Sequence, residues 1–294
     1  MSMLSAFQSE GTWYKANLHT HTTLSDGVLT PQERRDAYRA QGYQVLALTD
    51  HNKQESHEHL NTDDMILIPG VELHPDNEVG RPGYHVVALG MEDRLDPSAS
   101  SCQQLIDRIS HAKGMAVLAH PYWCGLNIQD LAHLNGYLGI EVFNTTCFRG
   151  IGKGLSSTHW DDLLDLGHTP YGLAVDDAHH RERDVFQGWT MMKATELTLP
   201  SLLHSLKTGA FYSSNGPLIH EISFDDQTLH VTCSPVAHIN FICSRSQGNH
   251  VETLVRNNHC EASCVLESEL GYVRVECTDE RGKTAWTQPM RLFQ

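Results

Sequence analysis

This chain of 294 residues has no Lys/Arg block, and its 21 basic residues stand against 36 acidic ones, a formal net charge of −15. Nucleic acid or an anionic membrane calls for clustered cations, so neither suits it as the main partner. Its eight cysteines include no Cys-x-x-Cys pair; Cys260 and Cys264 stand closest. That argues against a zinc ribbon or a disulfide framework and reads as reduced packing residues of a cytoplasmic protein. No apolar run approaches the ~18 residues needed to span a bilayer. The N-terminus lacks the basic and apolar stretches of a secretory signal. There is no internal repeat and no low-complexity segment. Hydrophobic residues make up 40% of the chain, enough for a sizeable core, and the length allows one large domain and a small one.

Histidine is what the chain has in excess, with 20 residues. The stretch Asn17-Leu18-His19-Thr20-His21 places two imidazoles one residue apart at a strand end. Strand side chains alternate with period two, so His19 and His21 share a face and form a ready chelate. Ser25-Asp26-Gly27 follows as a turn carrying an oxygen ligand. Thr30, Pro31 and Glu33 then read as a capping box with proline at the first helical position, opening a helix to about Gln41.

The same arrangement recurs along the chain. Val45–Thr49 reads as a buried strand ending in Asp50-His51-Asn52, and residues 53–61 read as helical. Met65–Ile68 leads through Pro69-Gly70 to Val71-Glu72-Leu73-His74. A Gly/Pro loop at 80–83 precedes the strand Tyr84–Gly90, which carries His85, and residues 98–113 have helical spacing. Met115–Ala119 ends in His120-Pro121, and Gly139–Asn144 leads to a glycine-rich loop, Arg149–Gly154. Tyr171–Val175 ends in Asp176-Asp177-Ala178-His179. Strand–helix alternation predicts a parallel sheet, and ligand residues after strand after strand favour an α/β barrel with its chemistry at the C-terminal rim. After about Pro217 short alternating strands predict a small all-β, sandwich-like module. The boundaries are 1–216 and 217–294.

The candidate metal ligands are His19, His21, Asp26, His51, Glu72, His85, His120, Asp177 and His179. His74 shares a strand face with Glu72 and competes with His85. The two-residue spacing to His179 selects Asp177 over Asp176, which reads as a supporting or helix-capping residue. Glu141 and Asn144 end a strand on the same rim, as substrate contacts, ligand supports or buried structural groups.

Five motifs in this order resemble the polymerase and histidinol phosphatase (PHP) superfamily: Leu18-His19-Thr20-His21 with Ser25-Asp26-Gly27, Thr49-Asp50-His51-Asn52, Gly70-Val71-Glu72, Ala119-His120-Pro121 and Asp177-Ala178-His179. The resemblance spans roughly residues 14–215. It implies a distorted (β/α)7 TIM-like barrel with two or three divalent ions. It implies that His19, His21, Glu72 and Asp177 hold the first ion and that Asp26, His51 and His179 hold the second. Glu72 would bridge to a third with His85 and His120. It implies a metal-bridging hydroxide that attacks phosphorus in a small, anionic phosphate ester. A His/Asp/Glu set of this kind accepts zinc, manganese or iron. Bound cations also reverse the local field of an acidic chain, which an anionic substrate needs.

For substrate, Arg149 and Lys153 in the Gly150-Ile151-Gly152-Lys153-Gly154 context offer charge and backbone N–H groups, without the spacing of a Walker loop. Arg181 is a candidate for a phosphate oxygen, and His180 for protonating a leaving group. The segment Gly209–Pro217 and the β module resemble the branch of the superfamily that includes carbamate hydrolases. A carboxylic-ester or carbamate hydrolase is therefore the rival enzyme, and a metal-stabilised binding scaffold the non-enzymatic rival.

Overall fold

The computed structural model describes residues 5–75, 83–91, 93–95, 101–225, 227–253, 259–266 and 271–291. The predicted loop at 80–83 and the start of the predicted helix at 98 thus lie largely outside the described residues. Among the described residues nine strands come first: β1 (Thr12–Asn17), β2 (Val45–Leu48), β3 (Ile66–Leu73), β4 (Val86–Leu89), β5 (Met115–Leu118), β6 (Gly139–Asn144), β7 (Tyr171–Val175), β8 (Trp189–Ala194) and β9 (Phe211–Ser214). Their order across the sheet is β9-β8-β1-β2-β3-β4-β5-β6-β7.

The sheet is mixed rather than wholly parallel. β1, β2 and β3 run parallel, as do β5, β6 and β7, but β4 is antiparallel to both its neighbours, and β8 is antiparallel to β1 and β9. The reversal of β4 matters for the site. Leu73 at the end of β3 pairs with Val86 at the start of β4. His85, at the start of its strand, therefore lies beside the strand ends that carry the other ligands.

β2, β4 and β5 are buried along their whole length, which explains their unbroken apolar runs. One core gathers side chains from β1 round to β9, among them Ala16, Val45, Ala47, Ile68, Val87, Val117, Leu173, Met192 and Phe211. A second lies where the opposite strand faces meet helices, with Val86, Ala116, Ile140 and Val142 against Leu105, Ile106, Ile109 and Trp160. The helix Pro31–Ala40 has the predicted capping box: Thr30 accepts from the Glu33 backbone N–H, and the Glu33 carboxylate takes the Thr30 N–H.

Two local expectations fail. Of residues 53–61 only Glu58–Leu60 is helical, as a single 3₁₀ turn. Arg149 does not lie in a glycine-rich loop. It sits in the last turn of the helix Thr145–Ile151, whose N-terminus Asn144 caps by accepting from the Cys147 N–H. Gly152 then ends the helix in the left-handed region, at φ 76°.

The remaining strands are β10 (Ile219–Asp225), β11 (Thr228–Cys233), β12 (His238–Cys243), β13 (Gly248–Glu252), β14 (Cys260–Val265), β15 (Tyr272–Thr278), β16 (Thr284–Trp286) and β17 (Met290–Arg291). β10, β11 and β14 form one sheet. β12, β13, β15, β16 and β17 extend the large sheet, because β16 pairs with β9 through Ala285 with Ser214 and Trp286 with Ser213. Between the layers lie Ile222, Leu229, Val231, Phe241, Val273 and Val275. All eight cysteines are unpaired, and only Cys124 and Cys264 are partly exposed. Among the described residues no helix is long and apolar enough to cross a membrane.

Side chains lock the β region to the first sheet. Gln288 takes the Gly172 N–H at 2.8 Å and donates to the Gly172 carbonyl at 2.9 Å, so the free side of β7 is capped by the C-terminal segment. Arg274, 1% exposed, makes two 2.7 Å bonds to Asp161 on the helix Ser157–Asp165 and one of 2.6 Å to Glu276. Its guanidinium lies 4.8 Å from the Trp160 ring centre. Removing one partner of a buried pair costs 3–5 kcal/mol when the other charge is left uncompensated. Asp161 and Glu276 retain some solvent, so Arg274→Ala is expected to lower stability by about 2–3 kcal/mol in urea unfolding.

Candidate metal centre

Glu72, near the end of β3 and 1% exposed, is the hub. Its Oε2 lies 3.1 Å from His19 Nε2, 3.3 Å from His21 Nε2 and 3.0 Å from His51 Nδ1. Its Oε1 lies 2.8 Å from His85 Nδ1 and 3.3 Å from His120 Nε2. Five imidazoles from four separate stretches therefore surround one carboxylate. Asp177 closes the cluster, with Oδ1 at 3.2 Å from His19 Nε2 and 3.0 Å from His21 Nε2.

Backbone pairing at the strand ends produces this convergence. Asp177 N–H donates to the His19 carbonyl, and His21 N–H to the Ala178 carbonyl, both at 2.9 Å. Thr20 and Ala178 form a parallel bridge, as do His51 and Glu72. Both His120 and Asp177 have positive φ, 29° and 56°. Such backbone is uncommon outside glycine and re-aims both side chains where their strands end.

Asp26 sits at the outer edge, its side chain 51% exposed. Its Oδ2 is 3.4 Å from both His51 Nε2 and His179 Nε2, and its Oδ1 is 3.5 Å from His21 Nδ1. The turn that presents it is held by Asp50, which accepts from Thr22 N–H and Thr22 Oγ1 at 2.7 Å and from Ser25 Oγ at 2.7 Å. Gly27 packs so close to the His21 backbone that a Cβ there would come within 2.5 Å of the His21 carbonyl.

Whether the residues suit a cation is decided by their donors and acceptors. Glu141 Oε1 lies 2.6 Å from His19 Nδ1. A carboxylate accepts only, so Nδ1 carries a proton, and with a cation at the centre the lone pair of His19 would be offered from Nε2. His19 Nε2 lies 3.1 Å from His21 Nε2. Asp177 Oδ1 is buried beside both, facing the two Nε2 atoms. Imidazole nitrogens and carboxylate oxygens that converge in this way are a donor set for a cation, and four of these side chains, His19, His21, Glu72 and Asp177, bring ligand atoms within 4.8 Å of one another. The sets His21, Asp26, His51, His179 and Glu72, His85, His120 meet the same distance. Without an ion, burial alone would lower the pKa of His21, but hydrogen bonds and charge from Asp177 and Glu72 outweigh it and raise it to about 9. Burial opposes ionisation of Glu72, yet the surrounding imidazoles hold it well below the usual carboxylate range.

All nine residues singled out as ligands from the sequence come together here. His74 joins them: its Nε2 is 2.8 Å from His51 Nδ1, and with His51 and Glu72 it meets the same distance that Glu72, His85 and His120 do. Asp176 stays outside, accepting from Asn17, Tyr38, Thr145 and three backbone N–H groups. The other candidates make different contacts. His180, 52% exposed, pairs with Asp184 at 2.8 Å, and Arg181, 64% exposed, with Glu33 at 3.7 Å. Lys153 Nζ lies 5.2 Å from the Tyr122 ring centre, and Arg149 is exposed. Glu141, for which the sequence left substrate contact, ligand support and buried structural group open, supports His19, and Asp50 is a support to which the sequence reading gave no role. Glu141 also takes the His120 N–H at 2.9 Å, joining two ligand strands. A lone acid inside the apolar strand Gly139–Asn144 was the available signal.

No family model matches the chain. The 5′-3′ exoribonuclease of Haemophilus influenzae is 39% identical over 94 residues, 31% of this chain. The chain spans about a third of that enzyme's length, 33%. An uncharacterized protein of Methanocaldococcus jannaschii is 28% identical over 146 residues, 44% of this chain and 81% of that protein. Among solved structures, a two-domain protein from Bacteroides vulgatus, containing a predicted PHP-like metal-dependent phosphoesterase, aligns over 94% of this chain and 92% of its own. Its TM-score is 0.55 at 17% identity, a likeness of fold that includes the C-terminal β region. At that identity the likeness is one of fold alone, and it is the fold that brings the ligand motifs of this chain together around Glu72.

Proposed function

We propose that the chain is a metal-dependent phosphoesterase acting on a small phosphate ester. We read residues 1–216 as the hydrolase unit, a distorted (β/α)7 barrel, and residues 217–294 as the β module. The observation that carries this reading is the two-sided use of Glu72, whose oxygens face separate groups of imidazoles. In this reading His19, His21, Glu72 and Asp177 hold one ion, Asp26, His51 and His179 a second, and Glu72, His85 and His120 a third. Divalent ions bound there, zinc, manganese or iron, would acidify a shared water and draw in phosphoryl oxygens.

The protein's own groups do the rest. Glu141 keeps His19 in the tautomer that offers Nε2 to a cation. Asp50 fixes the turn that brings Asp26 to His51 and His179. Arg149 and Lys153 are the cations proposed for phosphoryl oxygens; Arg181 would join them only by leaving Glu33. His180, steadied by Asp184 and one residue beyond His179, is the proposed proton donor to the leaving oxygen. The activity in the name of the Haemophilus influenzae relative, scission of RNA phosphodiesters, supports phosphorus over carbonyl carbon as the point of attack.

Glu72→Gln is expected to lower phosphate release from p-nitrophenyl phosphate by at least about a thousandfold, the several kcal/mol that bound cations supply. Turnover of p-nitrophenyl acetate alone would favour the carboxylic-ester or carbamate rival. Neither activity, beside a metal-raised melting temperature, would favour the scaffold. Glu141→Gln is expected to weaken metal affinity about 10–100-fold in a competition titration, with the far-ultraviolet spectrum unchanged. Stripping the ions with a chelator should remove about 2.7 kcal/mol of stability where they stood at about a hundred times their Kd, read as a fall in melting temperature.

A further inference from the structure

Large apolar side chains exposed singly are ordinary on a protein surface; a group of them at the mouth of a charged cluster is not. His120 has φ 29°, and the chain after it makes one helical turn, Pro121–Cys124, before Gly125 ends it in the left-handed region. That turn displays Tyr122 and Trp123 at 42% and 43% exposure. The indole centre is 5.1 Å from the His120 ring and 5.7 Å from the His85 ring, at 81° and 68° to them. Trp123 thus stands against two of the imidazoles on Glu72 while much of its surface meets solvent.

The segment that carries Lys153 and Ser156 touches this turn. Tyr122 N–H donates to Ser156 Oγ at 3.2 Å, and Lys153 lies over the Tyr122 ring. Phe148 and Leu155, on either side of Lys153 in the chain, are exposed as well. Tyr122 and Trp123 are flat and nearly rigid, with two side-chain torsions each, so they suit face-to-face contact with another ring. Lys153 adds a positive charge beside them.

Resting on the phosphoester reading of the same centre, we propose that Trp123, with Tyr122 and Lys153 beside it, forms a stacking subsite for a flat aromatic group carried on the substrate's alcohol. A phosphoryl group at the histidine cluster puts its leaving alcohol within reach of the indole, which lies one ring contact away from His120. A nucleobase and a simple aryl ring share this chemistry.

Four primary alkyl phosphates test the subsite, because their leaving groups are chemically matched. Adenosine 5′-monophosphate is compared with ribose 5-phosphate, and 2-phenylethyl phosphate with 2-cyclohexylethyl phosphate. Both kcat/KM and calorimetric binding to the metal-loaded protein are measured. The aromatic member of each pair is expected to lead by about tenfold, the scale of stacking on a protein ring. Trp123→Ala should reduce that ratio to about twofold or less, and Trp123→Phe should restore most of it. Leu166→Ala, an exposed apolar site on another helix end, should leave it unchanged. A lead for the nucleotide alone would assign a nucleobase; equal leads would assign any aryl ring. Ratios near one in the unaltered protein would overturn the proposal, as would a Trp123→Ala loss shared equally by both members of a pair. Ring-dependent binding through Trp123 without phosphate release would leave the subsite standing and remove the phosphoester reading. Phosphate release without ring preference would do the reverse.

Discussion

A carboxylate buried to 1% exposure in a protein interior must be matched by positive charge or by donors, and Glu72 is matched by imidazoles on both of its oxygens. Much of the architecture serves that one requirement. β3 carries Glu72 between β2, which ends near His51, and β4, which begins just after His85. The segments that follow β1 and β7 lie side by side in a parallel bridge, which sets His19, His21 and Asp177 together. The reversed β4 supplies from its start what its parallel neighbours supply from their ends.

A second layer of acids keeps the first in place. Glu141 spans His19 and the backbone of His120, and Asp50 holds the Thr22–Ser25 turn. Each of these carboxylates spends its oxygens on donors, and Glu141, by holding the proton of His19 on Nδ1, leaves His19 Nε2 to face the centre. In a chain with a net charge of −15, this stacking of acids makes the centre attractive to cations first and to anions only through them.

Features set by local chemistry were legible in the sequence. The period-two spacing of His19 and His21, the capping box of Thr30 and Glu33, and the ligand pairs at strand ends depend on a few adjacent residues. Features set by partners far along the chain were not. Nothing local tells that β4 runs backwards, since its apolar run reads the same in either direction. Glycines at 150, 152 and 154 resemble a loop, yet the Asn144 cap and the Val142–Ser156 backbone bond wind residues 145–151 into a helix. The choice between His74 and His85 was likewise open, because both flank Glu72; their 4.0 Å ring separation shows how small the difference is. Pro69 lies inside β3, where proline is rarely found, and its carbonyl still accepts from the Gly90 N–H at 2.7 Å.

The β16–β9 seam gives the C-terminal strands a part in the first sheet's integrity. Ser213 and Ser214 would lose their partners on one side if the chain were cut near residue 216, and Gly172 would lose the amide of Gln288. Both strands would then show bare rims of peptide groups, the kind of template on which separate molecules add to one another. Severing the halves would thus yield sticky fragments rather than two independent parts.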